Sequence, residues 1–151
     1  RYVLYECSSE TVPMEREIQF INNYIDLERI RHGDHVSIHF SMNSKPGESK
    51  IEPLLLIPII ENSFKHGIHA QMEKGFVDIQ LNVEGSKLSL LAMNSITGAK
   101  PFADMFRGKK KNGIGLENVR KRLELLYPNN HRLTIDSGAH TWKVNLELNL
   151  T

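Results

Sequence analysis

Two short stretches of this sequence carry side chains suited to chemistry. Between Pro53 and Gly67, the residues Glu61, Asn62, Lys65 and His66 follow one another closely, and at helical spacing they fall with Pro58 inside one arc of about 140°. Leu56, Ile57, Ile60 and Phe64 lie opposite. Such a helix packs one side on a sheet and gathers a carboxylate, an amide, an ammonium and an imidazole on the other. Spacing alone is equally satisfied by a solvated polar face, which most amphipathic helices have. The second stretch, Asn112-Gly113-Ile114-Gly115-Leu116, sets two glycines ahead of a helix, where backbone amides and the helix dipole can approach an anion. A lone Gly-x-Gly is more often a simple turn. The run from Gly108 to Gly115 is not a P-loop, because Ile114 stands where lysine is required.

The elements that must position these residues follow from the apolar pattern. Ile18, Ile21 and Ile25 recur at helical spacing after Val12-Pro13 and predict a helix to about Arg31, stopped at Gly33. Val36, Ile38 and Phe40 alternate with polar residues as a half-buried strand, and a turn is expected over Asn43 to Glu48. The helix bearing Asn62 is expected to begin near Pro53 and to kink or start late at Pro58, since an interior proline costs a hydrogen bond. Val77 to Val83 and Leu88 to Met93 predict an antiparallel hairpin turning at Glu84-Gly85-Ser86. Ser95 to Asn112 is aperiodic, holds Lys109 to Lys111, and reads as a long lid-like loop. Leu116, Val119, Leu123 and Leu126 mark a last helix, followed by strands at Leu133 to Ile135 and Trp142 to Leu150. Hairpin-linked strands with interspersed helices predict an α/β fold, a two-layer α/β sandwich whose mixed sheet is covered on one face by helices.

Composition narrows the functional classes. The chain has 151 residues, 40% apolar and 25% charged, enough for a single core without a disulfide or metal staple. Cys7 has no second cysteine to pair with, which favours a reduced compartment. A formal charge of +1 lacks the field of a general nucleic-acid binder, so no nucleic-acid partner is expected. The apolar run from Leu54 to Ile60 is too short to span a bilayer. An opening at Arg1 without a signal pattern is read as that of a fragment with a part missing upstream.

Beyond these patterns, EPLLLIPIIENSFKHG resembles the asparagine box of the GHKL ATPases in the form found in LytS-type sensor histidine kinases. GIGLENVRKRLELLYP is similar to the second glycine box and following helix of those kinases, and VPMEREIQFINNYIDLERIRHGDHV to the segment before their asparagine box. The resemblance therefore covers nearly the whole chain. It implies a Bergerat-type sandwich with residues 1–34 as a lead-in segment and helix from the dimerisation region, and residues 35–151 as the ATP-binding catalytic domain. It further implies ATP and Mg2+ as cofactors, with Asn62 holding magnesium through its side-chain oxygen and Lys65 neutralising phosphate charge. His66 would flank the base or ribose, while Gly113 and Gly115 would close over the phosphates; Leu116, beside them in the nucleotide-binding set, is otherwise a core residue. Asn118 and Arg122 fall at polar positions of the same signature.

Two positions depart from the family. Relatives that hydrolyse ATP place a general-base carboxylate four residues before the asparagine, where this chain has Pro58. Glu61 is thus either catalytic alongside Lys65 or a surface carboxylate that partners it. In the first glycine box Asn94 replaces the aspartate that accepts from the adenine amino group, Ile96 replaces the first glycine, and only Gly98 matches. A neutral acceptor makes a weaker hydrogen bond than a charged one.

The implied activity is transfer of the ATP γ-phosphoryl group to a histidine in the missing upstream dimerisation region and then to a response regulator. A homodimeric full-length protein is expected, this chain being the cytoplasmic domain of an inner-membrane protein. Two alternatives stay open. One is a degenerate, nonenzymatic relay module with weak or lost nucleotide binding, suggested by Asn94 and Ile96. The other is a serine kinase of the anti-sigma type, which the ENSFKHG and GIGLENVRKRL wording disfavours.

Overall fold

The computed structural model describes residues 11–67, 74–96 and 114–150. The element order is β1 Val12–Pro13, α1 Met14–His32, a 3-10 turn Gly33–His35, β2 Val36–Lys45, β3 Lys50–Ile51, α2 Ile57–Gly67, β4 Gly75–Glu84, β5 Lys87–Ser95, α3 Ile114–Leu126, β6 His131–Ser137 and β7 Thr141–Asn149. Five strands form one sheet in the order β2-β4-β5-β7-β6. β2 runs parallel to β4 across the α2 crossover, with Val36 opposite Gly75, and every other pairing is antiparallel. The sheet is therefore mixed, as the hairpin pattern implied.

Alternation along the strands decides which face is covered. Val77, Ile79, Leu81 and Val83 of β4, Leu88, Leu90 and Ala92 of β5, and Trp142, Val144, Leu146 and Leu148 of β7 are all buried. They form one core with Ile18, Ile21 and Ile25 of α1, Ile59, Ile60 and Phe64 of α2, and Val119 and Leu123 of α3. The intervening strand residues, among them Asp78, Gln80, Lys143 and Glu147, are half-buried or exposed on the opposite face. This gives two layers, with the helices on one side.

Local differences from the sequence reading have simple causes. β2 continues to Lys45, into the region expected as a turn, because its backbone finds partners on β4 as far as Glu84. The turn itself is tight, Ser49 N donating to Pro46 O at 3.1 Å, with Gly47 at a left-handed φ of 59°. Gly85, at φ 57°, makes the expected hairpin, Glu84 facing Lys87. Leu126 is 44% exposed although it was expected on the apolar stripe. Tyr127, four residues beyond Leu123 and bonded to its carbonyl, continues the Val119–Leu123 row and is buried instead. The two-residue pair β1–β3, Val12 opposite Ile51, was not foreseen; segments this short have no period to detect.

The approach to α2 depends on a buried carboxylate. Glu17 of α1 is fully buried and accepts from the backbone amides of Leu54 at 3.0 Å and Leu56 at 3.4 Å. Leu54 sits at φ 55°, a left-handed conformation that costs a non-glycine residue roughly 1 to 2 kcal/mol. The turn is thus held from outside by α1. Glu17→Ala strands two amides in the interior and is expected to lower the unfolding free energy by about 2 to 4 kcal/mol. Glu17→Gln, which keeps the volume and one acceptor oxygen, should lose less; urea denaturation compares the two, and equal losses would show that neither the retained oxygen nor the retained volume matters and would assign the effect to the carboxylate charge.

Candidate functional site

Helix α2 begins at Ile57, so Pro58 falls in its first turn, where a missing N–H leaves no intrahelical bond unmade. The late start removes the expected conflict without a kink. From there Ile59, Ile60 and Phe64 turn inward, while Glu61 and Asn62 remain half-buried and Lys65 exposed. Lys65 Nζ stands 3.6 Å from Glu61 Oε2, the i,i+4 arrangement that places the two charges side by side. His66 belongs to the same helix; its side chain lies outside the described residues.

Helix α2 packs on β5, whose end carries Asn94. Asn94 continues the buried series Leu88, Leu90, Ala92 and is itself fully buried, flanked across the sheet by Val77 and Trp142. Its Nδ2 donates to Ser95 O at 3.1 Å, and its Oδ1 has no hydrogen-bond partner among the described residues. Ser63, on the inward side of α2, is likewise fully buried with an unpartnered Oγ among the described residues. A buried polar atom without a partner typically costs about 1 to 3 kcal/mol, so both are groups that a donor or acceptor from outside would stabilise. Ile96 follows Asn94 on the same strand face and is half-buried against the core.

The third contributor is α3, which packs against α2. Gly115, exposed, and Leu116, half-buried against the core, lie in its first turn. Gly98, Gly113 and the stretch 97–112 of the expected loop lie outside the described residues. Two turns along α3, Arg122 reaches back to the α2 approach. Its Nη1 donates to Leu54 O at 3.0 Å, and its Nη2 donates to Pro53 O at 2.6 Å and to Glu52 Oε1 at 3.3 Å. The hydroxyl of Tyr127 accepts from Glu52 N at 2.9 Å. Burial, chiefly, pushes the Tyr127 phenol above the usual tyrosine range.

Helix α1 meets α2 at the inward-facing Phe64. Phe64 is met edge-on by Tyr24, ring centroids 5.8 Å apart, and stacked by His32 at 6.3 Å. The buried Glu28 ties these together, its carboxylate 2.9 Å from His32 Nε2 and 3.4 Å from Arg31 Nη1. Burial, then the Glu28 and Glu61 charges, push the Tyr24 phenol up.

Asn62, Lys65, Glu61, Asn94, Gly115 and Leu116 therefore belong to α2 and to the two elements, β5 and α3, that pack on it. Sequence reasoning passed over Ser63, Glu17 and Glu28. Ser63 carried a readable signal, a hydroxyl at a helix position between Ile59, Ile60 and Phe64 that should be apolar. Glu17 and Glu28 carried none, since a carboxylate on an amphipathic helix is ordinarily solvated.

Comparison with known proteins gives a consistent picture. A family model described as histidine kinase matches residues 1–36. The chain is 26% identical over 140 residues to the sensor protein LytS of Oceanobacillus iheyensis, covering 86% of this chain and 24% of that protein. It is 29% identical over 136 residues to the sensor histidine kinase YpdA of Escherichia coli, covering 84% and 23%. The chain thus spans about a quarter of the length of the curated relatives it matches. Among solved structures, the catalytic domain of histidine kinase ThkA superposes with a TM-score of 0.59 at 14% identity, covering 92% of this chain and 94% of that one. The histidine kinase domain of a blue-light activated kinase from Erythrobacter litoralis gives 0.63 at 12% identity, covering 92% and 62%.

The Lys65–Glu61 pair is solvent-facing, with side chains 66% and 37% exposed. Glu61→Ala should accordingly change the unfolding free energy by no more than about 0.5 kcal/mol. Thermal and urea unfolding of the variant check this, and a larger loss would give Glu61 a structural role that its exposure does not suggest.

Proposed function

We propose that this chain is the ATP-binding catalytic domain of a two-component sensor histidine kinase. It is similar over most of its length to LytS-type and other sensor histidine kinases and has the fold of histidine-kinase catalytic domains. Residues 1–34 lead from an upstream dimerisation region, their helix α1 packed on the domain, and residues 35–151 form the nucleotide-binding unit. The observation that carries the reading is the buried Oδ1 of Asn94, unpartnered among the described residues, at the position where the family accepts the adenine amino group.

The residues fit the group in kind. Among the described residues no cluster of three or more His, Cys, Asp or Glu side chains is arranged to hold a metal. Asn62 offers a single hard oxygen, which suits a magnesium ion whose remaining ligands are phosphate oxygens and waters. Lys65 supplies a positive charge one turn further along the same face, with the Glu61 carboxylate 3.6 Å from it. Gly115 opens the first turn of α3 without a side chain to obstruct an anion at the helix end. His66, Gly98, Gly113 and Leu116 complete the set assigned to the nucleotide.

ATP bound here supplies the γ-phosphoryl group for transfer to a histidine of the upstream region, then to an aspartate of a response regulator. What the domain contributes is position and charge neutralisation rather than a nucleophile of its own. A homodimer anchored in the inner membrane, with this domain on the cytoplasmic side, is the corresponding full-length arrangement. Among the described residues no helix is long and apolar enough to cross a membrane.

Calorimetric titration with a nonhydrolysable ATP analogue, with and without magnesium, tests the reading. Asn62→Ala should remove the magnesium-dependent part of the affinity and leave the thermal unfolding midpoint nearly unchanged, since Asn62 is only half-buried. Unaltered magnesium dependence would take Asn62 out of the site. Asn94→Asp should lower the stability of the free domain by setting a carboxylate against the Ser95 carbonyl. It should nonetheless tighten the analogue about tenfold, by up to roughly 1 to 2 kcal/mol. The gain must be absent for guanine nucleotides, whose ring presents an oxygen in place of the amino group. If parent and Asn94→Asp both fail to bind, the relay-module reading prevails, with half-buried Ile96 the obstructing side chain.

A further inference from the structure

From α3, Arg122 reaches to the turn that launches the Asn62 helix. Arg122 is half-buried on α3, and its guanidinium spans the carbonyls of Pro53 and Leu54 and the carboxylate of Glu52. These three groups belong to the turn that launches α2. Seven residues separate Arg122 from Gly115, about 10 Å along the helix axis, so its anchorage fixes where the first turn of α3 stands relative to that launch. Glu17 grips the same turn through its N–H groups. The carbonyls left facing α3 are those that Arg122 takes.

Resting on the nucleotide reading above, we propose that Arg122 is a positioning residue for magnesium: it holds the α2 launch against α3 so that the Asn62 oxygen meets a metal carried on phosphates bound at the α3 end. The residue touches neither nucleotide nor metal in this role. Its chemistry suits the task, because a planar guanidinium can bond two carbonyls and a carboxylate at once with fixed geometry, whereas an ammonium is a point charge on a flexible stem. The charge also offsets Glu52, the only carboxylate it contacts among the described residues. Groups that orient a metal ligand from behind characteristically change metal affinity by about 10- to 100-fold when removed.

The test is calorimetric titration of the chain with a nonhydrolysable ATP analogue in excess magnesium and again in chelator. It compares the parent, Arg122→Ala, Arg122→Lys, Asn62→Ala and the Arg122→Ala/Asn62→Ala double variant. The expected result is a roughly tenfold loss of magnesium-supported affinity in Arg122→Ala, with the metal-free affinity held within about twofold. Arg122→Lys should recover little of the loss. In the Asn62→Ala background the second substitution should add nothing, because the ligand it positions is already gone.

A loss of equal size with and without magnesium marks a merely structural role and overturns the assignment, as does a fully additive double variant. Should Arg122→Ala fail to fold, Arg122→Lys and Glu52→Gln carry the comparison: a magnesium-specific loss supports the proposal, and an unchanged magnesium gain in both overturns it. A parent that binds no analogue overturns the nucleotide reading and this assignment together. A parent that binds normally, with Arg122 variants indistinguishable from it, overturns this assignment alone.

Discussion

The turn from Glu52 to Leu56 is the point on which the helical layer depends. It arrives from the β1–β3 pair, must pass through a left-handed residue at Leu54, and must then start a helix whose second residue is proline. None of this is favourable locally. It is held because Glu17 accepts from its amides, Arg122 donates to its carbonyls, and Tyr127 accepts from Glu52. Polar backbone groups that would otherwise be stranded in this half-buried turn are thereby satisfied. All three clamping side chains are supplied by α1 and by α3 with its immediate continuation. The helix bearing Asn62 is consequently oriented through the turn that its two neighbours hold.

That arrangement explains how one helix serves both the core and the solvent. Ile59, Ile60 and Phe64 press on β4, β5 and the rings of Tyr24 and His32, fixing rotation about the helix axis. Once rotation is fixed, Asn62 and Lys65 have no choice but to face outward, away from the sheet. Ser63 is buried in the same packing, and so is Asn94 at the end of β5. Asn94 is thus dry, with one end of its amide engaged by Ser95 and the other end free among the described residues. A free acceptor in a low-dielectric interior is costly to keep and strong when engaged, a combination found where a ligand is to be recognised.

Much of the architecture was readable from the chain. Helices α1 and α3, both arms of the β4–β5 hairpin and the strands β2, β6 and β7 each have a period of their own, so their order and the one-sided sheet followed from local spacing. Their exact ends did not: β2 outran its apolar pattern because β4 was there to pair with it, and Tyr127 displaced Leu126 from the last turn of the stripe. The site was readable as a set of residue types on a helix and at a glycine turn, and the resemblance of those words to known boxes gave them roles. Proline 58 announced that the helix start was unusual, and the structure shows the late start rather than a kink.

What the sequence determined by itself is therefore whatever depends on neighbours along the chain: periodicity, turn chemistry, and the lineup of Glu61, Asn62, Lys65 and His66 on one arc. What only the tertiary structure decided is which polar groups are buried and with whom. Arg122 and Leu54 are 68 residues apart, and Glu17 and Leu54 are 37 apart; hydrogen bonds between such positions leave no mark on local spacing. A glutamate on an amphipathic helix has the same sequence signature whether it is solvated or, like Glu17, enclosed and accepting two amides. Burial is a property of the packed layers, and the energy of a polar group depends on burial more than on its identity.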